Sequence, residues 1–343
     1  MAATELTAKT FPLPWLSQGL DWLAGDGVNR VAGGLTYALV LPLLGIGIFL
    51  LLWGAGASRV ETSLGQLPGP AQVWEQGQSL WDEHKAERKR EAAFYERLDK
   101  RYEKAVAAGK SEAQLDKIRS RQYTGYPTFI DQIWTSLLTV GTGFLIASVI
   151  AIPIGIVCGM SAAFYAGMNP LIQIFKPVSP LAWLPLVTII VSAVYVTDDP
   201  TLSKSFITSA ITVTLCCLWP TIINTTVGVA TVDKDLMNVS RVLRLGWFKQ
   251  TAKIILPSSM PMIFTGLRLS LGIGWMVLIA AEMLAQNPGL GKFVWDEFQN
   301  GSSNSLARIM VAVLVIGFIG FLLDRAMLML QRRFSWDKDA ILR

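Results

Sequence analysis

Residues Asp233 to Ala285 read DKDLMNVSRVLRLGWFKQTAKIILPSSMPMIFTGLRLSLGIGWMVLIAAEMLA. A basic amphipathic segment runs into Ile-Ile-Leu-Pro and is followed at once by a stretch apolar enough to cross a bilayer. Asp233 and Asp235 can cap a helix start, because carboxylates accept the orphan N–H groups of a first turn and oppose the helix dipole. Leu236, Val239, Val242 and Leu243 then form an apolar stripe, with Arg241 and Arg244 elsewhere on the surface. Gly246 permits a turn, and Trp247 to Ile255 restart a helix that Pro257 and Pro261 are expected to stop. A short helix lying across a membrane face fits a groove in a soluble partner. The order of segments therefore describes an element that docks outside the membrane and pushes on a helix within it.

The bulk numbers agree. Of 343 residues, 52% are hydrophobic and only 16% charged, where soluble domains carry roughly 25% charge. The mean hydropathy is +0.44. The net charge of +5 marks cytoplasmic loops more simply than nucleic acid, since no basic motif with interleaved aromatics is present. The fold class is an all-α integral membrane protein. A span needs about 20 apolar residues, and six segments are expected: Leu35–Trp53, Ile133–Cys158 with a kink at Pro153, a short Leu181–Val196 interrupted by Pro185, Ser205–Val229 broken at Pro220, Ile263–Ala285, and Leu306–Leu330.

Orientation follows from the loops. Lys234, Arg241, Arg244, Lys249 and Lys253 crowd the 232–262 loop, and Arg332, Arg333, Lys338 and Arg343 follow the last span. Asp198, Asp199, Asp296 and Glu297 fall in the intervening loops. The positive-inside rule puts both termini and the 232–262 loop in the cytoplasm. The organisation expected is a 1–34 cytoplasmic or interfacial segment, a first span at 35–53, an external (periplasmic) insertion at 54–129, a core at 130–333 and a tail at 334–343. Trp15, Leu16, Leu20, Trp22 and Leu23 suit a helix lying in the interface. In the insertion, Ala71–Ala108 reads as a helix with Phe94, Leu98 and Tyr102 on one side. Gly109 breaks it, and Ser111-Glu-Ala-Gln114 is a capping-box pattern opening a second helix, which makes a helical hairpin. That hairpin is either a dock for a delivery protein or an insertion packed on itself.

Catalytic chemistry finds no support. Gly109-Lys110-Ser111 echoes a phosphate-binding loop, but the position five before its Gly-Lys is Lys104 rather than glycine. The single histidine, His84, lies in a charged run and reads as solvated; Cys158, Cys216 and Cys217 sit in apolar stretches as small hydrophobes without metal-ligand spacing. The chain offers no ATPase site, no metal site and no cofactor of its own.

Asn238-Val-Ser-Arg-Val-Leu-Arg244 followed by Ile254-Ile-Leu-Pro257 resembles the coupling loop of bacterial ABC-importer permeases. Asn238 stands where that pattern has Glu, Val239 and Ser240 replace two alanines, and Arg244 replaces a glycine. The continuation from Pro257 through Thr265-Gly-Leu-Arg268 to Trp275, with Ala280-Ala-Glu282-Met-Leu284, is similar to the nitrate/sulfonate/taurine branch, and within it the nitrate permeases. The resemblance covers roughly residues 133–333. It implies the importer-permease fold, a second copy of the chain, two cytoplasmic ATPase subunits that bind ATP and Mg, and an external substrate-binding lipoprotein, all at a bacterial inner membrane. It also implies that Asp235, Asn238, Val239, Ser240, Arg241, Leu243, Arg244, Gly246, Leu256 and Pro257 couple to the ATPase. The implied cargo is nitrate or nitrite, with bicarbonate, taurine or another sulfonate fitting the same architecture. A non-transporting membrane scaffold is the reading of another class.

An anion path needs donors or positive charge. Thr135 and Thr139 in the second span and Thr208 and Thr212 in the fourth could supply donors, although such hydroxyls also bond to their own helix carbonyls. Arg268 and Glu282 lie in the fifth span, where ionisable groups are costly and usually functional. Arg268 sits near the cytoplasmic end, where snorkelling or a lipid phosphate also accounts for it, and Glu282 near the external end, where it can hold helix packing.

Overall fold

The computed structural model describes residues 40–62, 65–196, 202–302 and 304–334. The interfacial helix expected within 1–34, the tail beyond Phe334 and the acidic pair Asp198 and Asp199 lie outside the described residues. The chain divides near Ala71 into two units. The first holds α1 (Leu41–Ala57) and an antiparallel pair of two-residue strands, β1 (Glu61–Thr62) and β2 (Gly65–Gln66). The expected first span, Leu35–Trp53, is thus seen as a 17-residue apolar helix that ends four residues later than Trp53.

The second unit is helical throughout its described residues: α2 (Pro70–Ala107), α3 (Glu112–Arg119), α4 (Phe129–Met160), α5 (Ala162–Phe175), α6 (Pro180–Val194), α7 (Lys204–Ala230), α8 (Lys234–Val242), α9 (Trp247–Gln250), a π-helical turn (Thr251–Ile255), α10 (Leu256–Ala285), α11 (Leu290–Asn300) and α12 (Ser305–Phe334). Four helical stretches are long and apolar enough to cross a membrane: α4, α7, the continuous run Trp247–Ala285, and α12. α5 and α6 pass the same test only as a pair, bent by 99°. The expected third span is therefore one arm of a broken pair, and its other arm, Ala162–Phe175, was missed in the sequence.

Two of the prolines do not interrupt as expected: α6 runs through Pro185 and α7 through Pro220, while α4 continues through Pro153. In lipid an interrupted helix would expose backbone polar groups to hydrocarbon, so the chain stays helical and neighbours absorb the local defect.

α7 is packed along both α4 and α10. Residues of α4 at every fourth position from Gly143 (Gly143, Ala147, Ala151, Gly155, Gly159) let the backbones approach. A Cβ at Gly155 would stand 2.6 Å from Thr225 Cβ, and one at Gly159 2.5 Å from Val229 Cβ. This is the small-residue packing favoured where hydrocarbon outside competes equally with side chains inside. Thr214 and Thr226 Oγ1 donate across the seam to the Gly143 and Gly155 carbonyls at 3.1 and 3.3 Å. On the other side of α7, Ser270 Oγ donates to Cys217 O at 2.6 Å while Cys217 Sγ donates to Ser270 O at 3.2 Å. Cys158 and Cys217 are buried, as expected of small hydrophobes. The bent pair seats Ile172 against Ala151 and Ile222. Outward positions such as Val149, Ile189 and Leu145 are largely exposed apolar groups, the arrangement a lipid solvent demands.

Helix α2 has nearly the predicted bounds, and it is fastened both to the helices that follow and to the rest of its own insertion. Arg88 Nη2 pairs with Asp131 Oδ2 at 3.0 Å, Arg308 of α12 pairs with Glu83, and His84 Nδ1 lies 2.7 Å from Thr128 Oγ1. His84 is thus engaged rather than merely solvated. Thr128 and Asp131 form the real capping box, at the start of α4, whereas Ser111 makes no side-chain cap for α3. Tyr123, beyond α3, donates its hydroxyl to Glu87 Oε1 at 2.6 Å and stacks near Phe94. That bond holds the Glu87 carboxyl below, and the Tyr123 phenol above, its ordinary pKa.

Candidate functional site

Two regions collect the residues singled out above. The first is the segment joining α7 to α10. Asp233 Oδ1 accepts from Asp235 N at 2.9 Å and starts α8; Asp235 lies in its first turn and Arg241 in its last, each opposing the local dipole charge. The apolar stripe faces outward: Val242 and Phe248 are 81% exposed and Leu243 63%, with Leu236, Val239 and Trp247 also exposed. Among the expected coupling residues, Asp235, Asn238, Val239, Arg241, Leu243, Arg244 and Gly246 are exposed. Ser240 is not: it is buried, donating to Met237 O at 2.7 Å and accepting from Gln250 Nε2 at 3.1 Å, so it holds α8 against the following turn.

The turn itself differs from expectation. Gly246 has an ordinary φ of −67° as the residue before α9, and the left-handed position is Arg244, at φ 45°. Beyond it the helix does not stop at Pro257. Thr251–Ile255 adopt π geometry, with Leu256 N–H reaching back to Thr251 O, and the chain continues as α10. The wider turn shifts the hydrogen-bond register so that Pro257 falls in the first turn of α10, where a missing N–H costs nothing. Leu256 and Pro257 are half-buried at this joint. α9, the π turn and α10 thus form one continuous helical run of 39 residues, Trp247–Ala285, with α8 held against its start through the Ser240–Gln250 contact.

The second region is a cleft of about 600 Å³ lined by Thr265, Arg268, Leu269, Gly272, Ile273 and Met276 of α10 and by Asp324 and Gln331 of α12. Arg268 and Asp324 pair through two parallel contacts, Nε to Oδ1 and Nη2 to Oδ2, the latter at 2.9 Å. Arg268 is thus held by a carboxylate rather than simply snorkelling. The other path candidates are elsewhere. Thr135, Thr139 and Thr212 Oγ1 donate to the carbonyls of Asp131, Thr135 and Thr208 at 3.1, 2.7 and 2.8 Å, and Thr208 is buried. Thr139 also accepts from Asn287 Nδ2 at 3.2 Å. Glu282 is fully buried at the end of α10 away from the coupling segment, accepting from Ser136 Oγ at 2.8 Å and from Gly291 N at 3.0 Å. It thereby caps α11, an 11-residue helix in what the sequence reading left as a loop. The hydrophobic spacing of Leu290, Phe293 and Phe298 was the available signal.

Among the described residues no group of His, Cys, Asp and Glu could hold a metal. An exposed apolar face thus leads into a helix long and apolar enough to cross a membrane, with a cleft of mixed polar and apolar lining along that helix. Residues 151–336 match the family of binding-protein-dependent transport system inner membrane components, and the chain belongs to it. It is 35% identical over 295 residues to the bicarbonate transport system permease protein CmpB of Synechococcus elongatus, covering 86% of this chain and 88% of that one. It is 38% identical over 200 residues to the nitrate import permease protein NrtB of Synechocystis sp., covering 58% and 68%. It is 30% identical over 198 residues to the putative aliphatic sulfonates transport permease protein SsuC of Bacillus subtilis, covering 58% and 67%. A solved chain of the MetNI methionine ABC transporter, in an inward-facing conformation, shares the fold with a TM-score of 0.52 at 13% identity over 60% of this chain and 96% of its own. The chain is an ABC-importer permease subunit of the nitrate/sulfonate type, a multi-pass inner-membrane protein that works with ATPase and substrate-binding components.

Proposed function

We propose that two copies of this chain form the pore of an ATP-driven importer for a small planar oxyanion, nitrate or bicarbonate. The observation that carries the coupling is the exposed apolar face of α8 and α9, the second of which is continuous with α10. Each face rides in a groove of one of two ATPase subunits, which bind ATP and Mg, and an external lipoprotein delivers the anion on the opposite side. ATP-driven closure of the ATPases moves the face and, through the π turn, α10. This is a rigid two-state element driven from outside the chain.

The cargo is drawn more broadly than the nitrate expectation. The relative named for bicarbonate matches 86% of the chain and those named for nitrate about 60%, at nearly equal identity, so both anions stand. Both are planar, monovalent and rich in acceptor oxygens. The positive-inside rule supports cytoplasmic termini and a cytoplasmic 232–262 loop. Six spans result when α1 and the bent α5–α6 pair each cross once.

Reconstitution in liposomes with the ATPase and binding subunits tests the assignment. Nitrate-dependent or bicarbonate-dependent ATP hydrolysis, absent with taurine, is expected, and hydrolysis stimulated by taurine alone refutes it. Arg241→Glu or Val242→Pro is expected to abolish ATPase co-elution and uptake together; unchanged uptake sinks the coupling role.

A further inference from the structure

We infer that Arg268 holds the transported oxyanion within the membrane and that Asp324 is a built-in competitor which the anion must overcome. The inference rests on the importer reading above. Arg268 lies in the middle third of α10, and it and Glu282 are the two ionisable residues of that helix. Glu282 is sealed away from solvent, whereas Arg268 and Asp324 remain about one third exposed on the wall of the open cleft, at 33% and 37% of their side-chain surface. Both charges are thus reachable from the cleft rather than sealed into the packing, and intramembrane charges of this kind usually mark a substrate path.

The chemistry of the pair is specific. A guanidinium presents five N–H donors in a planar fork that matches carboxylates and other planar oxyanions edge to edge. Asp324 occupies the Nε–Nη2 edge with its two carboxylate oxygens. Nη1 makes no hydrogen bond to the described residues, so one edge of the fork is left for a ligand. The carboxylate has the shape and charge of nitrate or bicarbonate and stands where such an anion would stand. The other polar groups of the cleft are committed elsewhere: Thr265 Oγ1 donates to Pro261 O at 2.9 Å and Gln331 Nε2 to the same oxygen at 3.3 Å. Arg268 is therefore the strong donor that the cleft offers. Asp324 keeps its charge balanced while the site is empty and keeps anion binding weak enough for release, the condition for conduction through any selective site.

The test is uptake by the complete reconstituted complex, with assembly scored first by co-elution with the ATPase subunits. Labelled nitrate and bicarbonate are the probes. Asp324→Asn removes the competing charge and is expected to lower the KM for the carried anion about tenfold, the size of one like-charge interaction near a partly exposed site. Arg268→Lys keeps the cation but loses the fork and is expected to raise KM about tenfold. The neutral pair Arg268→Gln with Asp324→Asn retains a hydrogen-bonded contact of similar volume and is expected to lose uptake at least tenfold in kcat/KM. A structural strut predicts the reverse pattern: Asp324→Asn impairs assembly without lowering KM, and the neutral pair transports as the unaltered chain does. Either result overturns the role of Arg268 while leaving the importer reading intact. An unaltered complex that carries neither anion overturns both. If the Asp324→Asn effect follows the content of anionic phospholipid rather than the concentration of free anion, the guanidinium holds a lipid phosphate and the inference fails.

Discussion

Replacing Gly289 by Ala should be costly in the native chain and nearly free once Glu282 has been shortened to Ala. A Cβ built at Gly289 would fall 2.1 Å from Glu282 Oε1, 2.3 Å from Cδ and 2.4 Å from Oε2, and its three nearest neighbours are all atoms of that one carboxyl. Overpacking of this kind costs about 1–3 kcal/mol. Glu282→Ala alone orphans the Gly291 N–H and the Ser136 hydroxyl, both on buried residues. At roughly 1–3 kcal/mol per unsatisfied donor the single change should cost about 2–6 kcal/mol. Glu282→Gln keeps an oxygen for Gly291 and a similar shape, and should cost about 1 kcal/mol or less. In the double variant the carboxyl is gone and the added methyl enters vacated space, so the two costs should fail to add by about 1–3 kcal/mol. The assay is thermal unfolding of the detergent-purified chain, followed by tryptophan fluorescence, on all four members of the cycle. The single Glu282→Ala shift should be on the order of 5–10 °C. If Gly289→Ala costs as much in the Glu282→Ala background as in the native one, the carboxyl is not seated against the α11 N-terminus and the account of that hub is wrong.

Other expectations follow from the packing and the turn. Gly155→Ala should destabilise by about 1–3 kcal/mol because its Cβ would meet Thr225 across the α4–α7 seam, while Gly141→Ala on the same helix, with nothing within 4 Å, should be neutral or slightly stabilising; thermal unfolding of both separates seam from surface. Arg244→Gly should relieve the left-handed φ of 45° and stabilise the turn by up to about 1 kcal/mol without loss of ATPase co-elution, and weaker co-elution would show that the Arg244 side chain itself makes the contact. The bond from Tyr123 lowers the folded pKa of Glu87, so its contribution is present above the ordinary glutamate range and is lost as the pH falls through the folded value. Hydrogen exchange in α2, compared with the intrinsic rate at each pH, should lose protection as the pH falls below the ordinary glutamate range of about 4.3 in the native chain, and that pH-dependent loss should be absent in Tyr123→Phe.

Much of the coupling segment was legible because its signals are local. The Asp233 cap, the outward Val239, Val242 and Leu243, and the long apolar run after them depend on spacing alone. The prolines misled because their usual effect assumes water as the alternative partner: Pro220 and Pro257 ended helices in the reading and sit within a helix or at a π-turn joint in the structure. Arg244 was recognised only as a departure from a family glycine, and its positive φ gives the physical reason a glycine fits there. The Arg268–Asp324 pair was invisible because its partners are 56 positions apart and no periodicity links one span to another. Glu282 was read both as a path candidate and as a holder of helix packing, and its partner, the start of α11, lay in a stretch too balanced in charge to read as a helix.

The continuity of residues 247–285 also fixes the mechanical advantage of the molecule. A helix of 39 residues is about 58 Å long, so a tilt of about 5° displaces one end by about 5 Å relative to the other. Gly266 brings the backbone of this rod against that of α7 at Pro220 and Thr221, and Gly274 makes room for the Cys217 side chain, a close contact about which the rod can tilt. One arm carries the exposed face of α8 and α9, and the other carries Glu282 and, through it, the cap of α11. If ATPase closure tilts this rod as proposed, its two ends move in opposite directions about that contact, and the cleft at Arg268, beside it, changes its shape far less than either end.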